Sequence, residues 1–149
     1  MTMTQEQKEL LLKDISARLP YGVKCTFNGK NIYKVYGIDE VVNDDGDWEY
    51  AICTKRTSPL YISDCKSYLF PLSSMTEEQK KEFLSVAGYE TREEDCGRHT
   101  EIYYYDMVGH EHNFYPNSEA IDWLNKNHLD YRGLIEKGLA IDATNLNIY

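Results

Sequence analysis

Apolar positions in the first twenty residues recur at helical intervals, at Leu10, Leu11, Ile15 and Leu19. They come after Thr4 and Gln7 at the spacing of a capping box, so the pattern predicts a helix that Pro20 ends. From Gly22 to about Thr57 the period shifts towards two. Val23, Cys25 and Phe27 alternate, Asn28-Gly29 offers a type I′ turn into residues 32–42, and a second turn over residues 43–47 leads into residues 48–54. The expectation is three antiparallel strands in a meander, with Gly37 marking a bulge or close packing in the second.

Ser58-Pro59 opens an irregular stretch. Residues 67–72 then read as a short strand, which Pro71 confines to an edge or a strand end. Thr76 and Gln79 form a second capping box, starting a helix that presents Phe83, Leu84 and Ala87 and stops at Gly88. Its opening, Met75-Thr76-Glu77-Glu78-Gln79-Lys80, echoes Met3-Thr4-Gln5-Glu6-Gln7-Lys8. Beyond these openings the two segments differ, which favours two uses of one capping solution over an internal duplication.

Residues 89–101 are acidic and polar, 102–108 read as a strand and 113–117 as a loop. Asn117 or Ser118 caps a helix with Ile121, Leu124 and His128 on one face and Ala120 and Trp123 beside it. Asp130 is then expected to cap a short helix carrying Leu134 and Ile135, closed by Gly138. A last strand over 139–141 and a fraying tail over 143–149 complete the chain. The sum is a single α+β domain over residues 1–149: an antiparallel sheet of four to six strands, with an N-terminal helix and a C-terminal helix pair packed on one face.

Composition narrows the function classes. A chain of 149 residues buries roughly 68–70% of its unfolded surface, enough for a core that needs no disulfide or metal. With 16 basic against 25 acidic residues the net charge is −9, a field that opposes phosphate backbones, and no Lys/Arg run marks a local exception. Nucleic acid is therefore not the expected partner. Cys25, Cys53, Cys65 and Cys96 include no C-x-x-C pair, so neither a zinc knuckle nor a dithiol redox motif is expected, only reduced and mostly buried thiols. The first residues lack the basic and apolar regions of a signal peptide, and no apolar run approaches the length of a membrane span. A cytoplasmic protein is the expectation.

Candidate chemistry is sparse. Asp39, Glu40, Asp44, Asp45, Asp47 and Glu49 invite a calcium-loop reading. With Gly46 at the sixth position, however, the first and twelfth ligands would be Val41 and Ile52, so a solvated hairpin turn is favoured. His110 and His112 flank Glu111 and on a strand would share one face, as metal ligands do, but a cupin-like carboxylate does not come at the needed spacing. Cys96-Gly97-Arg98-His99 holds a thiol near an imidazole without a third orienting group. Tyr103-Tyr104-Tyr105, with Tyr33, Tyr36, Tyr61, Tyr68, Tyr89 and Tyr115, reads more readily as half-buried sheet positions than as a recognition patch. The stretch 118–137 has a helix-turn-helix outline, yet its second half offers only Arg132 and Lys137 to a groove. No nucleophile elbow, Walker loop, dinucleotide fingerprint or H-E-x-x-H occurs.

Three blocks of the chain carry a resemblance. They are Leu19-Pro20-Tyr21-Gly22-Val23-Lys24, the run from Tyr68-Leu69-Phe70-Pro71-Leu72 to Glu78, and the run from Ile121-Asp122-Trp123-Leu124 through Asp130-Tyr131-Arg132-Gly133 to Ala140. In this order they resemble a family of small proteins from gut Bacteroidales, their crAss-like phages and other mobile elements. The tail departs from the Pro-Glu-Gly-Met-like ending associated with that family, since residues 145–149 replace it. The resemblance implies a phage or mobile-element context and no particular chemistry.

Asp130-Tyr131-Arg132-Gly133 admits two readings. In one, Asp130 caps a helix, Tyr131 and Leu134 pack, Arg132 pairs with a carboxylate and Gly133 lets helices approach. In the other, His128, Tyr131 and Arg132 converge on a pocket for an anionic or aromatic ligand. The leading expectation is a non-enzymatic accessory protein, without cofactor, that binds a host protein or a small ligand. The alternatives are a metal-assisted hydrolase using His110 and His112, and an acidic DNA mimic that inhibits a nucleic-acid-binding enzyme.

Overall fold

The computed structural model describes residues 2–27, 29–56, 58, 60–86 and 118–149. The strand expected at 102–108, the loop at 113–117, the stop at Ala87-Gly88 and the candidate ligands His110 and His112 lie outside them. The fold is α+β, with one sheet of five strands and one of three. The chain divides into two compact units, Met1–Leu69 with Leu134–Tyr149, and Phe70–Gly133.

In the first unit the Thr4 hydroxyl accepts from Gln7 N–H at 3.2 Å while Gln7 Oε1 accepts from Thr4 N–H at 2.9 Å. This capping box starts α1 (Gln5–Arg18), whose Leu11 and Ile15 are fully buried. Pro20 falls in a 3₁₀ turn that Gly22 closes with φ 72°, a left-handed conformation that glycine adopts at least cost.

The next five strands are β1 (Lys24–Thr26), β2 (Tyr33–Lys34), β3 (Gly37–Val42), β4 (Trp48–Cys53) and β5 (Leu60–Tyr61). The expected meander is corrected here, because the stretch 32–42 is two strands in two sheets. Val35 N–H donates to Val23 at 3.0 Å, whereas the next residue, Tyr36, donates to Cys53 at 2.8 Å. The chain therefore changes sheets between two consecutive residues, with Val35 buried in the core. Tyr36 and Gly37 both face Cys53, the two-against-one arrangement of a bulge, where Gly37 was expected to mark one. The first turn also differs. Cys25 pairs with Tyr33, which leaves a longer connection than a two-residue turn at Asn28-Gly29 allows.

Strand β6 (Lys66–Pro71) pairs antiparallel with β1 and parallel with β8 (Ala140–Asp142), through Ser67↔Ala140 and Tyr68↔Ile141. The larger sheet is thus mixed rather than antiparallel. A strand returning after a long crossover arrives in the same direction as its neighbour. Pro71 is the last residue of β6, a strand end as expected, but β6 is interior to its sheet rather than at an edge.

The tail, expected to fray, carries bonds to the rest of the first unit. Ala143 N–H donates to Leu69 at 2.8 Å, and Ile148 is buried. Lys24 Nζ donates to the Ile148 carbonyl at 2.6 Å. The Tyr149 hydroxyl donates to the Tyr68 carbonyl at 3.0 Å and accepts from Lys24 N–H at 2.9 Å. Although 39% of Tyr149 remains exposed, its hydroxyl end is enclosed, and burial pushes the phenol up to about 12. Both bonds therefore persist across the neutral range.

The second unit contains the end of β6, then α2 (Glu77–Val86), α3 (Ser118–Lys126) and β7 (Leu129–Asp130). The second capping box is present, with Thr76–Gln79 bonds of 3.0 and 3.1 Å. Phe83 and Leu84 of α2 pack with Trp123 and Leu124 of α3, and the Phe83 and Trp123 ring centroids are 5.4 Å apart. The expected C-terminal helix pair is a single helix. His128 turns left-handed at φ 56° and its carbonyl accepts from Phe70 N–H at 2.8 Å, so the chain enters β7 beside β6 (Phe70↔Leu129, Pro71↔Asp130). Asp130 is a buried strand residue and not a helix cap. Gly133, read as a helix-contact residue, sits at φ 72°, and Gly138, also at φ 72°, closes a single turn through Gly138 N–H to Ile135 and Leu139 N–H to Leu134, with no helix formed over 131–137.

The first unit also buries an ion pair. Arg18 Nε and a terminal guanidinium nitrogen meet the two Asp14 oxygens at 3.0 Å each, with both side chains at 0% exposure. Such a fork is oriented by its i,i+4 spacing on α1, and losing one partner strands a buried charge. Arg18→Met alone should cost about 3–5 kcal/mol in chemical denaturation, and Asp14→Leu with Arg18→Met should cost less than either single change. A double variant that loses the sum of the two singles would contradict this.

Candidate functional site

The β3–β4 hairpin leaves its most hydrophobic residue in solvent. Its register runs from Gly37↔Cys53 to Val42↔Trp48, and the turn continues it because Asn43 N–H donates to the Asp47 carbonyl at 2.8 Å. The hydrogen-bonded pairs are therefore the odd-numbered ones, and Val42↔Trp48 is a non-bonded pair, in which side chains stand closest. Alternate residues share a face, so Val42 and Trp48 lie on the same side as Ile38 and Ile52. Ile52 is 2% exposed and belongs to the core of the first unit, against which Ile38 and Tyr50 pack. Two rungs further on, Val42 is 53% exposed and Trp48 75%. Between these rungs the same face carries Glu40↔Tyr50, with Glu40 exposed, and it ends in the uncovered tryptophan.

The tip is held in shape by local bonds. Asn43 Oδ1 accepts from Asp45 N–H and Asp47 N–H at 3.0 Å each, and Gly46 N–H donates to the Asn43 carbonyl at 3.0 Å with φ 88°. At the flank, Lys8 Nζ of α1 meets Glu49 Oε2 at 2.8 Å. The carboxylates read as a solvated turn are there: Asp44, Asp45 and Asp47 are exposed around the tryptophan. Among the described residues no group of three His, Cys, Asp or Glu is placed to hold a metal ion.

The hairpin's outer edge is guarded. Backbone groups of Ile38, Glu40 and Val42 point away from β4, and the central donor, Glu40 N–H, is taken by Asp39 Oδ1 at 2.8 Å. With a carboxylate capping that donor, a partner strand has less to pair with, and recognition falls to the side chains at the tip.

The residues singled out in the sequence fall elsewhere. Tyr131 and Arg132 are brought together, the guanidinium 4.5 Å from the ring centroid. Tyr131 is nevertheless buried in the core of the second unit, its hydroxyl donating to Asn125 Oδ1 at 2.9 Å, and His128 is buried in the turn after α3. Of the tyrosines assigned to half-buried sheet positions, Tyr33, Tyr61 and Tyr68 lie in β2, β5 and β6, while Tyr36 is 55% exposed outside any strand. A separate cavity of about 380 Å³ opens in the first unit beside the start of α1, with Gln7, Asp64, Cys65, Lys66, Lys137 and Leu139 in its wall. Gln7, Cys65 and Lys137 were named in the sequence for other reasons, and nothing there brought these residues together as a site.

Comparison of the chain with protein-family models, with curated proteins and with solved structures finds no match.

The two tryptophans occupy opposite environments, since Trp123 is 7% exposed against 75% for Trp48. Trp48→Phe should remove the quencher-accessible, solvent-relaxed part of the fluorescence and leave the shielded part. Unfolding stability should change by no more than about 0.5 kcal/mol. A Trp48→Phe protein that keeps the accessible component would show that Trp48 is covered.

Proposed function

We propose that the chain is a non-enzymatic accessory protein that docks a host protein through the end of its β3–β4 hairpin, in the phage or mobile-element setting that its resemblance implies. The observation that carries this reading is Trp48, 75% exposed beside the half-exposed Val42 on a braced turn. Uncovered aromatic residues on pre-ordered scaffolds are where protein interfaces concentrate binding energy, because little further ordering is needed on association. The exposed carboxylates Asp44, Asp45 and Asp47 set the partner's chemistry: an apolar cleft for the indole, rimmed by lysine or arginine. The same geometry disfavours the DNA-mimic alternative, which needs carboxylates spread along a duplex-like array rather than gathered at one hairpin.

A second reading, a small-ligand protein, is supported by the cavity beside α1, whose volume is in the range of small-molecule sites. Melting in the presence of candidate ligands tests it separately, because Trp48 takes no part in that cavity.

The docking reading is tested by affinity capture from Bacteroidales lysate on immobilised wild-type, Trp48→Ala and Asp44/Asp45/Asp47→Asn chains. The expected result is a protein retained by the wild type, weakened roughly 30-fold or more by Trp48→Ala, and captured less as salt rises. A protein retained equally by all three, or none retained by the wild type, would overturn the reading.

A further inference from the structure

Charge in the first unit is segregated rather than mixed. Residues 15–38 hold Arg18, Lys24, Lys30 and Lys34 and no acid, whereas residues 39–49 hold six carboxylates and no base, and Lys55 and Arg56 follow the end of β4. Asp44, Asp45 and Asp47 thus lie at the closed end of the β3–β4 hairpin, while Lys34 and Lys55 adjoin its open end at Gly37↔Cys53. At about 3.4 Å per residue the two ends are roughly 17 Å apart.

The open end carries a second exposed apolar surface. Val35 N–H donates to the Val23 carbonyl, so the next cross-strand pair of β1 and β2, Lys24↔Lys34, is a non-bonded one, in which side chains stand closest. Val23, Cys25 and Val35 are buried, and alternation turns both lysines to the opposite face. Like charges set directly opposite each other weaken a sheet. Each of these lies against a tyrosine: Lys34 Nζ is 5.3 Å from the Tyr36 ring centroid, and Lys24 Nζ is 5.4 Å from that of Tyr149. Tyr36, Tyr149 and Ile32, the residue before β2, all remain exposed.

We propose that this face receives the hairpin end of a second copy of the chain, in a reciprocal two-fold dimer. The dimer rests on the reading of Trp48 as an interface residue and gives it a further occupant. Charge and apolar surface both match: Trp48 and Val42, with Asp44, Asp45 and Asp47 beside them, meet Tyr36 and Ile32, with Lys24 and Lys34 beside them. The carboxylates offset the repulsion between the paired lysines, and the indole covers exposed tyrosine. Because the two surfaces lie at opposite ends of one hairpin, two copies running antiparallel make both contacts at once, and the assembly closes at two. Two small contacts give a weak dimer, half-formed at roughly 100 µM, so the chain is monomeric with Trp48 open to solvent at low micromolar concentration.

The test is sedimentation equilibrium of the purified full chain from about 5 to 500 µM. The expected result is a mean mass that rises from one chain towards two and falls back as salt is added. Lys34→Glu, and Asp44→Lys with Asp45→Lys, should each stay monomeric alone, because each sets like charges against each other. Their equimolar mixture restores opposite charges at both contacts and should regain the dimer, which a folding defect would not do. Trp48→Ala should stay monomeric. A chain monomeric at every concentration would overturn the proposal, as would a dimer that survives these changes, a mixture that stays monomeric, or a mass that climbs past two chains. Host capture is read at low micromolar chain, so absence of the dimer leaves the docking reading standing, and capture unaffected by Trp48→Ala defeats that reading without altering the mass measurement.

Discussion

The pairing of β6 is the constraint on which the rest of the structure depends. In its first half Ser67, Tyr68 and Leu69 are buried and bonded to β1 and β8, and in its last two residues the same strand pairs with β7. With Ser67, Tyr68 and Leu69 buried in succession both faces of the strand are covered, and a one-residue slip would exchange side chains of different size and polarity between them. The tail depends on it, since Ala143 bonds to Leu69 and Tyr149 to Tyr68. So does the turn after α3, whose His128 carbonyl takes the Phe70 N–H.

In the first unit the β3–β4 hairpin is longer than the core it packs on. Its base contributes Ile38 and Ile52 to burial, and beyond the exposed Glu40 the same face carries Val42 and Trp48 in solvent. Exposing Val42 and Trp48 contributes nothing to folding, and the Asn43 bonds that brace the turn order it without covering them.

The features legible in the sequence were local. Both capping boxes, the Asn43–Asp47 turn and the strand end at Pro71 are set by residues within four positions of each other, so spacing alone reveals them. The features that were not legible depend on distant partners. Alternation looks the same whether Val35 and Tyr36 serve one sheet or two, and the direction of β8 against β6 leaves no mark on composition. Leu134 and Ile135 have a spacing that suits a helix, but the segment forms only one turn, closed at Gly138. The polar tail suggested fraying because its anchors, Ile148 and the Tyr149 hydroxyl, act through contacts with Lys24 and Tyr68. Among candidate sites, Trp48 was one strand aromatic among many until its exposure was known.

A core built on β6, with a hairpin end projecting uncovered from it, makes one claim that residue-resolved amide hydrogen exchange reads directly. Amides of Tyr68, Leu69 and Phe70 should exchange only by global unfolding, while those around Asp44 and Asp45 exchange orders of magnitude faster, with Trp48 open to solvent in the same spectra. Exchange in β6 as fast as at the hairpin turn, or protection of the Trp48 end equal to that of β6, would contradict it.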